Sequence, residues 1–235
     1  MSSSAGEPNF GPDYFSKVYR DYGRQNPPYK LRFYREMLAR HISPKDDVAI
    51  LDVGCAFGDF LSSLPRTWKR HGIDISSFAI AEARRKHPDI EFAAATLETN
   101  PFRGPFDVVT SFDVIEHIAD LDLVAASVKA LLRAGGVFML VVPAYDGPIG
   151  PVVHVLDRDP THVHKRSRRF WLEWAAQHFR VRRWTGIYRF LLPGGLYVHA
   201  PLHALRAFSP AILVVTTTEP SPRDRTRAAV SAVTP

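Results

Sequence analysis

Val48-Ala-Ile-Leu-Asp-Val-Gly-Cys-Ala-Phe-Gly58, followed by Gly72-Ile-Asp74-Ile, is the stretch whose reading decides the fold. Its first half is apolar and rich in β-branched residues, which marks a buried parallel strand. The strand ends near Asp52. Gly54 and Gly58 then bracket a tight turn into Phe60-Leu61-Ser62-Ser63-Leu64, which reads as a helix. Glycine in such places lets backbone turn sharply or come close to a ligand. Asp74 ends the next strand, where a doubly wound fold places a ribose-binding carboxylate. It reads alternatively as a helix N-cap before Ser76.

Strand and helix signals alternate outward from this stretch. Strands are expected at Val48–Val53, Arg70–Ile75, Ile90–Ala94, Asp107–Phe112 and Val137–Val142. Helices are expected at Phe57–Leu64, Ser77–His87 behind a Ser76 cap, Asp120–Arg133 and Arg168–Phe179. Alternation of this kind means an α/β domain with a parallel sheet covered on both faces. Past Arg180, Val181–Leu191 and Ala211–Thr217 read as two further strands, with a short helix expected in the link Leu196–Ala207. Upstream, Tyr14–Ile42 reads as a helical lid in two pieces, broken by Gly23 and Pro27-Pro28. The second piece carries Leu31, Tyr34, Met37, Leu38 and Ile42 on one stripe. The expected organisation is a flexible N-terminus and lid over 1–43, a core domain over 44–218 and a disordered tail over 219–235.

Composition agrees with one such domain: 46% of the 235 residues are hydrophobic and 23% are charged. The single Cys55 excludes an internal disulfide and suits a reducing compartment. Met1-Ser-Ser-Ser-Ala-Gly-Glu-Pro lacks the basic and apolar regions of a secretory signal, and no stretch is long enough to span a bilayer. A cytoplasmic location with no membrane contact is therefore expected. The net charge of +6, carried mostly by Arg, suits nucleic acid, an acidic small substrate or a biased genome equally.

The turn also selects a cofactor chemistry. The dinucleotide fingerprint G-x-G-x-x-G sets a pyrophosphate on a helix N-terminus. Gly54-Cys55-Ala56-Phe57-Gly58 lacks its second glycine, and the Asp52 charge would oppose a pyrophosphate. S-adenosylmethionine, with a ribose, an ammonium group and a sulfonium but no phosphate, suits that acid better than NAD does. A nicotinamide oxidoreductase is disfavoured on this ground.

Four motifs in order resemble the class I S-adenosylmethionine-dependent methyltransferases, in their small-molecule group, over roughly Lys45 to Phe190. Ile50-Leu-Asp-Val-Gly-Cys-Ala-Phe-Gly58 resembles the first motif, with Ala56 where a glycine is usual. Gly72-Ile-Asp-Ile-Ser76 resembles the acidic second-strand motif. Phe106-Asp-Val-Val-Thr-Ser-Phe-Asp-Val-Ile-Glu-His-Ile118 resembles the fourth strand and its loop, and Leu131-Leu-Arg-Ala-Gly-Gly-Val-Phe-Met-Leu-Val-Val-Pro143 the turn and fifth strand. The resemblance implies a Rossmann-like α/β fold with a seven-stranded, mostly parallel sheet, helices on both faces and an N-terminal helical lid. It implies S-adenosylmethionine as cofactor. Asp52, Gly54, Cys55 and Gly58 would form the turn at its amino-acid end. Asp74 would take the ribose hydroxyls, Ile75 would pack on the adenine, Thr96 and Leu97 would lie at the adenine amine, and Ser111 and Phe112 along the methionine portion.

Methyl transfer asks mainly that acceptor and methyl be held in line. An oxygen acceptor must also lose a proton, and histidine is the usual base near neutrality. His117 in Asp113-Val-Ile-Glu-His117, and His162 and His164 in Asp159-Pro-Thr-His-Val-His164, are the expected catalytic residues. His117 reads equally as a structural residue bonded to backbone. The expected acceptor is a small molecule methylated at a hydroxyl or carboxylate oxygen. The alternatives are a nitrogen acceptor, or RNA or protein. No metal is expected, although Asp113, Glu116 and His117 with His162 or His164 form a mixed donor set. Small-RNA terminal and quinone O-methyltransferases share that acid-x-x-Glu-His pattern.

Two stretches imitate nucleic-acid chemistry. Asn26-Pro-Pro-Tyr29 matches the tetrapeptide with which amino-group DNA methyltransferases hold a flipped base, but it precedes the first strand and reads as a helix start. Lys165-Arg-Ser-Arg-Arg169 reads as a solvated helix face or a clamp for an acidic substrate. Nucleic acid is not an expected partner, and the oligomeric state is not readable.

Overall fold

The expected first strand forms as β1 (Ala49–Val53), pairing in parallel with β2 (Lys69–Asp74) on one side and β4 (Phe106–Phe112) on the other. The computed structural model describes residues 26–43, 46–157, 159–191, 197–202 and 205–218. The expected flexible start, the first piece of the lid and the expected tail lie outside the described residues. The second piece of the lid is α1 (Pro28–Ala39), opened by Pro27 and Pro28, where a missing N–H costs nothing. Tyr34, Met37 and Leu38 of its stripe are buried.

From β1 the chain runs through α2 (Asp59–Ser62), β2, α3 (Ser77–Lys86) and β3 (Glu91–Ala94), then returns to β4 on the other side of β1. A short 3-10 turn, Ile115–His117, follows β4. Then come α4 (Leu121–Leu131), β5 (Leu132–Pro143), α5 (Gly150–Leu156), α6 (Arg168–His178), β6 (Arg180–Leu191), β7 (Tyr197–Leu202) and β8 (Ala211–Thr217). The sheet order is β3-β2-β1-β4-β5-β8-β6-β7. β1 to β5 are parallel, and β8 runs antiparallel between β5 and β6. Because the chain reverses direction about β1, a crevice opens beyond the carboxyl ends of β1 and β4.

The sheet has eight strands where seven were expected. Tyr197–Leu202 is a strand paired with β6 from Leu191↔Tyr197 to Gly186↔Leu202, not part of a helical link. Pro201 explains the difference: it cannot sit inside a helix, yet an edge strand tolerates it. Among the described residues that follow, only Arg206–Phe208 keeps a helical turn. α5 has no counterpart in the sequence reading.

Alternation along the strands separates two apolar layers. On one face Ile50, Val108, Met139, Val141 and Leu213 pack against Tyr34, Met37 and Leu38 of α1, and against Phe60, Leu61 and Ile80. On the other face Leu51, Val109, Phe138, Leu140 and Val214 pack against Val124 and Val128 of α4 and against Trp171 and Trp174 of α6. Each such side chain contributes ~1.5–3 kcal/mol by leaving water. Trp171 also donates its indole N–H to the Pro143 carbonyl at 3.1 Å, so its one polar atom is satisfied in the core. No helix among the described residues is long and apolar enough to cross a membrane.

Candidate active site

The turn after β1 is fastened to β2 by its own backbone. Gly54 and Cys55 both donate N–H to the Ile73 carbonyl, at 2.8 and 3.0 Å. Gly54 has φ +75°, and a Cβ there would lie 2.1 Å from Val114 Cγ2, so only glycine fits. Ala56, in the place of the more usual glycine, is held at φ 46°. Its N–H donates to Asp74 Oδ2 at 3.0 Å, and the Ser76 N–H donates to Asp74 Oδ1 at 2.8 Å. Asp74 thus joins the turn to the tip of β2. The cap of α3 is Ser76, whose hydroxyl accepts from the Ala79 N–H at 3.2 Å, which removes the capping reading of Asp74.

Asp52 lies at the reversal point, paired in register with Thr110. It is buried, and the Thr110 hydroxyl donates to Oδ1 at 2.6 Å. Burial pushes its carboxyl up to about 7, with the Thr110 bond opposing the rise and the Asp74 charge adding to it. Burial also raises the Asp74 carboxyl, against its two backbone donors. The two acids lie in adjoining positions of one crevice, and Ile75 beside them is 52% exposed, an apolar surface for a flat ring.

The remaining expected cofactor residues divide. Cys55 is buried, and a Cβ on Gly72 would meet its Sγ at 2.7 Å, so the side chain belongs to the core and only the backbone faces the turn. Gly58 takes φ +78° and begins α2. Thr96 and Thr99 cap each other: the Thr96 N–H donates to Thr99 Oγ1 at 2.9 Å and the Thr99 N–H to Thr96 Oγ1 at 3.2 Å. The Leu97 side chain is buried in the second layer. Ser111 Oγ is buried without a hydrogen-bond partner among the described residues. Phe112 stacks on Tyr34 of α1 at 4.5 Å and meets Phe60 edge-on at 4.9 Å, so the lid helix rests on the tip of β4.

Beyond that tip lies a second polar cluster. Asp113, at φ 59°, accepts a hydrogen bond from the Arg189 guanidinium of β6. Burial would raise the Asp113 carboxyl, but Arg189 and then Lys30 hold it below the usual range. Lys30 of α1 donates to Asn26 Oδ1 at 3.0 Å and sits over the Tyr34 and Tyr197 rings. Burial brings its ammonium down to about 8. The first acid of the acid-x-x-Glu-His pattern is therefore committed to an ion pair.

Glu116 is fully buried, with neither carboxyl oxygen hydrogen-bonded among the described residues. Burial, reinforced by Asp113, raises its carboxyl well above the ordinary range. Its carbonyl accepts from the Val163 and His164 N–H groups at 3.1 and 3.0 Å, which fixes the 157–165 loop against the 3-10 turn. That loop brings His162 to His117, ring centroids 4.5 Å apart. His162 Nε2 lies 4.0 Å from Glu116 Oε1. One donor atom from each of Glu116, His117 and His162 falls within 4.8 Å of the others. Burial, then the neighbouring His162, lowers the His117 imidazole. His164 stands apart, its Nε2 3.0 Å from the Ile118 carbonyl and its ring edge-on to Trp171 at 6.2 Å.

Sequence reasoning missed Asp157, Tyr145, Asp159, Thr161, Arg189 and Lys30. The string Asp157-Arg-Asp159-Pro-Thr161-His162 carried a signal, since two acids closely precede a histidine there. Lys30 and Arg189 carried none, because a helix and a strand far apart in the chain, α1 and β6, bring them to Asp113. The basic run is mostly engaged within the molecule. Lys165 pairs with Asp157 at 2.9 Å, Arg168 donates to the Ser209 carbonyl at 3.0 Å, and Arg169 pairs with Glu173 at 2.6 Å. Asn26-Pro-Pro-Tyr29 opens α1, as its prolines foretold.

Comparison with known proteins gives the family. A family model described as a methyltransferase domain matches residues 22–191. The ubiquinone biosynthesis O-methyltransferase of Nitrobacter winogradskyi is 28% identical over 143 residues, covering 52% of this chain and 55% of that protein. The enzyme of that name from Paramagnetospirillum magneticum is 31% identical over 124 residues, covering 48% and 50%. The chain thus spans about half the length of the curated relatives it matches. Among solved structures, the methyltransferase held by the Haloferax volcanii Trm112 activator superposes with a TM-score of 0.67 at 19% identity, covering 88% of this chain and 97% of that one. The N-methyltransferase NodS of Bradyrhizobium japonicum gives 0.56 at 15% identity, covering 83% and 99%. At these identities the superpositions speak for the fold alone. The family model spans well over half of the 235 residues, and the chain belongs to the class I S-adenosylmethionine-dependent methyltransferases.

Proposed function

We propose that this protein moves a methyl group from S-adenosylmethionine to an oxygen of a small molecule, with His162 receiving the acceptor's proton at Nε2 and His117 beside it. The observation that carries this reading is the convergence of His117, His162 and Glu116 next to the tip of β4, at the mouth of the crevice. Relatives named as O-methyltransferases support an oxygen acceptor. When bound, S-adenosylmethionine supplies an activated methyl on a positive leaving group, so the protein's task is alignment and removal of one proton.

The residues fit that task. Asp74 offers two carboxylate oxygens to the ribose hydroxyls, and Ile75 offers a face to the adenine. Asp52 is poised to ionise beside a cofactor ammonium, because a nearby positive charge favours the carboxylate form. α1 closes the acceptor side through Tyr34 on Phe112 and through Lys30. Release of S-adenosylhomocysteine across phenols, carboxylic acids, amines and RNA tests the assignment. Turnover confined to amines, or RNA turnover that weakens steeply with salt, would replace it.

A second reading concerns the same three donors. Two imidazoles and one carboxylate, with two buried Glu116 oxygens lacking hydrogen bonds, suit a divalent ion of the zinc or manganese kind better than magnesium. Such an ion would supply Lewis acidity toward the acceptor oxygen. Chelator sensitivity of the same assay decides between the two.

A further inference from the structure

His117 and His162 differ from His164 in how they are anchored, and the anchors specify where their protons lie. His162 Nδ1 is 2.9 Å from Asp157 Oδ2. That oxygen also receives the Tyr145 hydroxyl at 2.6 Å and the Lys165 ammonium at 2.9 Å, and Oδ1 receives the Asp159 N–H at 3.1 Å. A carboxylate so supplied with donors only accepts. An unprotonated Nδ1 would turn its lone pair into an anionic oxygen, so the proton of His162 belongs on Nδ1. Tyr145 Oη, 3.0 Å from the same nitrogen, is already donating to Asp157 and presents only lone pairs to it.

The logic repeats at His117 with one more link. Nδ1 is 2.9 Å from Thr161 Oγ1, and that hydroxyl is 2.5 Å from Asp159 Oδ1. A hydroxyl has one proton, which goes to the carboxylate. Toward His117 it therefore shows a lone pair, and the imidazole must donate from Nδ1. His162 then turns its Nε2 lone pair toward Glu116, whose Oε1 lies 4.0 Å away. Two independent anchors reach the same result through residues of one loop, 157–162.

We propose that Asp157, and the Thr161–Asp159 pair, are positioning residues that fix His162 and His117 in the same Nδ1–H form, so that the unprotonated Nε2 of His162 faces Glu116. The inference deepens the catalytic reading above and rests on it for its purpose, but not for its test. The arrangement serves a proton acceptor or a cation ligand equally, because each needs an unprotonated nitrogen held in one direction.

The experiment is long-range proton–nitrogen NMR on the full chain with nitrogen-labelled histidine, at a pH where the rings are neutral and with chelator present. Both rings should show Nδ1 as the protonated nitrogen. Asp157→Asn should shift His162 toward the Nε2–H form and leave His117 unchanged. Thr161→Val should release His117 alone, and Thr161→Ser should restore it. With an active acceptor in hand, each disrupting variant should lower kcat about 10–100-fold while the acceptor KM moves little. An Nε2–H form in the unmodified protein overturns the proposal, as does a His162 form indifferent to Asp157→Asn. Should Asp157→Asn fail to fold, the unmodified protein and the Thr161 pair still decide. Expected tautomers without any methyl transfer would sink the catalytic reading and leave this one standing.

Discussion

The two halves of the crevice are built by opposite means. At the tips of β1 and β2 the parts are backbone turns and two acids, delivered by residues 52 to 76 and fastened through main-chain N–H groups. At the tip of β4 the parts are side chains from distant segments. Thr161 meets His117 across 44 residues, and Arg189 meets Asp113 across 76. The first half is rigid because the sheet that makes it is rigid. The second depends on a loop, a lid helix and an outer strand hairpin arriving in register, and such surfaces can be rebuilt without disturbing the sheet.

If that contrast is right, the halves fail differently. The largest effect is expected from His162→Ala, which should lower kcat by about 10²–10⁴-fold and leave the affinity for S-adenosylhomocysteine intact by calorimetry. Asp74→Ala should do the reverse. Losing its charged hydrogen bonds costs roughly 3 kcal/mol, or about 100-fold in cofactor affinity, with a smaller effect on turnover at saturation. A variant that moved both quantities equally would erase the distinction.

Smaller effects sharpen it. Gly54→Ala forces a Cβ into Val114 at a left-handed residue and should cost roughly 3 kcal/mol, read as about 10 °C of Tm. Asp52 gives a pH signature. Its folded carboxyl sits near 7 against an ordinary 3.8, so the folded chain keeps a proton that the unfolded chain releases. The stability this brings is complete at acid pH and declines as the pH rises from about 4 through about 7. Asp52→Asn should flatten that part of the cofactor-free Tm profile. Arg169→Ala, which removes only an exposed pair with Glu173, should leave Tm, turnover and salt dependence unchanged.

The same contrast explains what was legible in the sequence. Gly54, Gly58, Asp52, Asp74 and the alternation of strands are local patterns, read from a few consecutive residues. At the tip of β4, Glu116 and His117 were visible as neighbours, and His162 and His164 as a pair. Which of the pair joins His117 was not visible, because a backbone bond from the Glu116 carbonyl to the loop decides it. Asp113 suited a metal pattern until Arg189 claimed it from β6. The helix expected between Leu191 and Ala211 gave way to β7 for a local reason, Pro201. Thr96 is engaged by Thr99, three residues on, an interaction that propensity does not reveal.

The position of β8 bears on how the molecule is made. It is the last of the described strands along the chain, yet it fills the slot between β5 and β6. During synthesis β5 and the β6–β7 hairpin must wait with open edges, since neither can dock until Ala211–Thr217 has left the ribosome. A nascent chain stalled before that segment would expose two pairing edges to its neighbours.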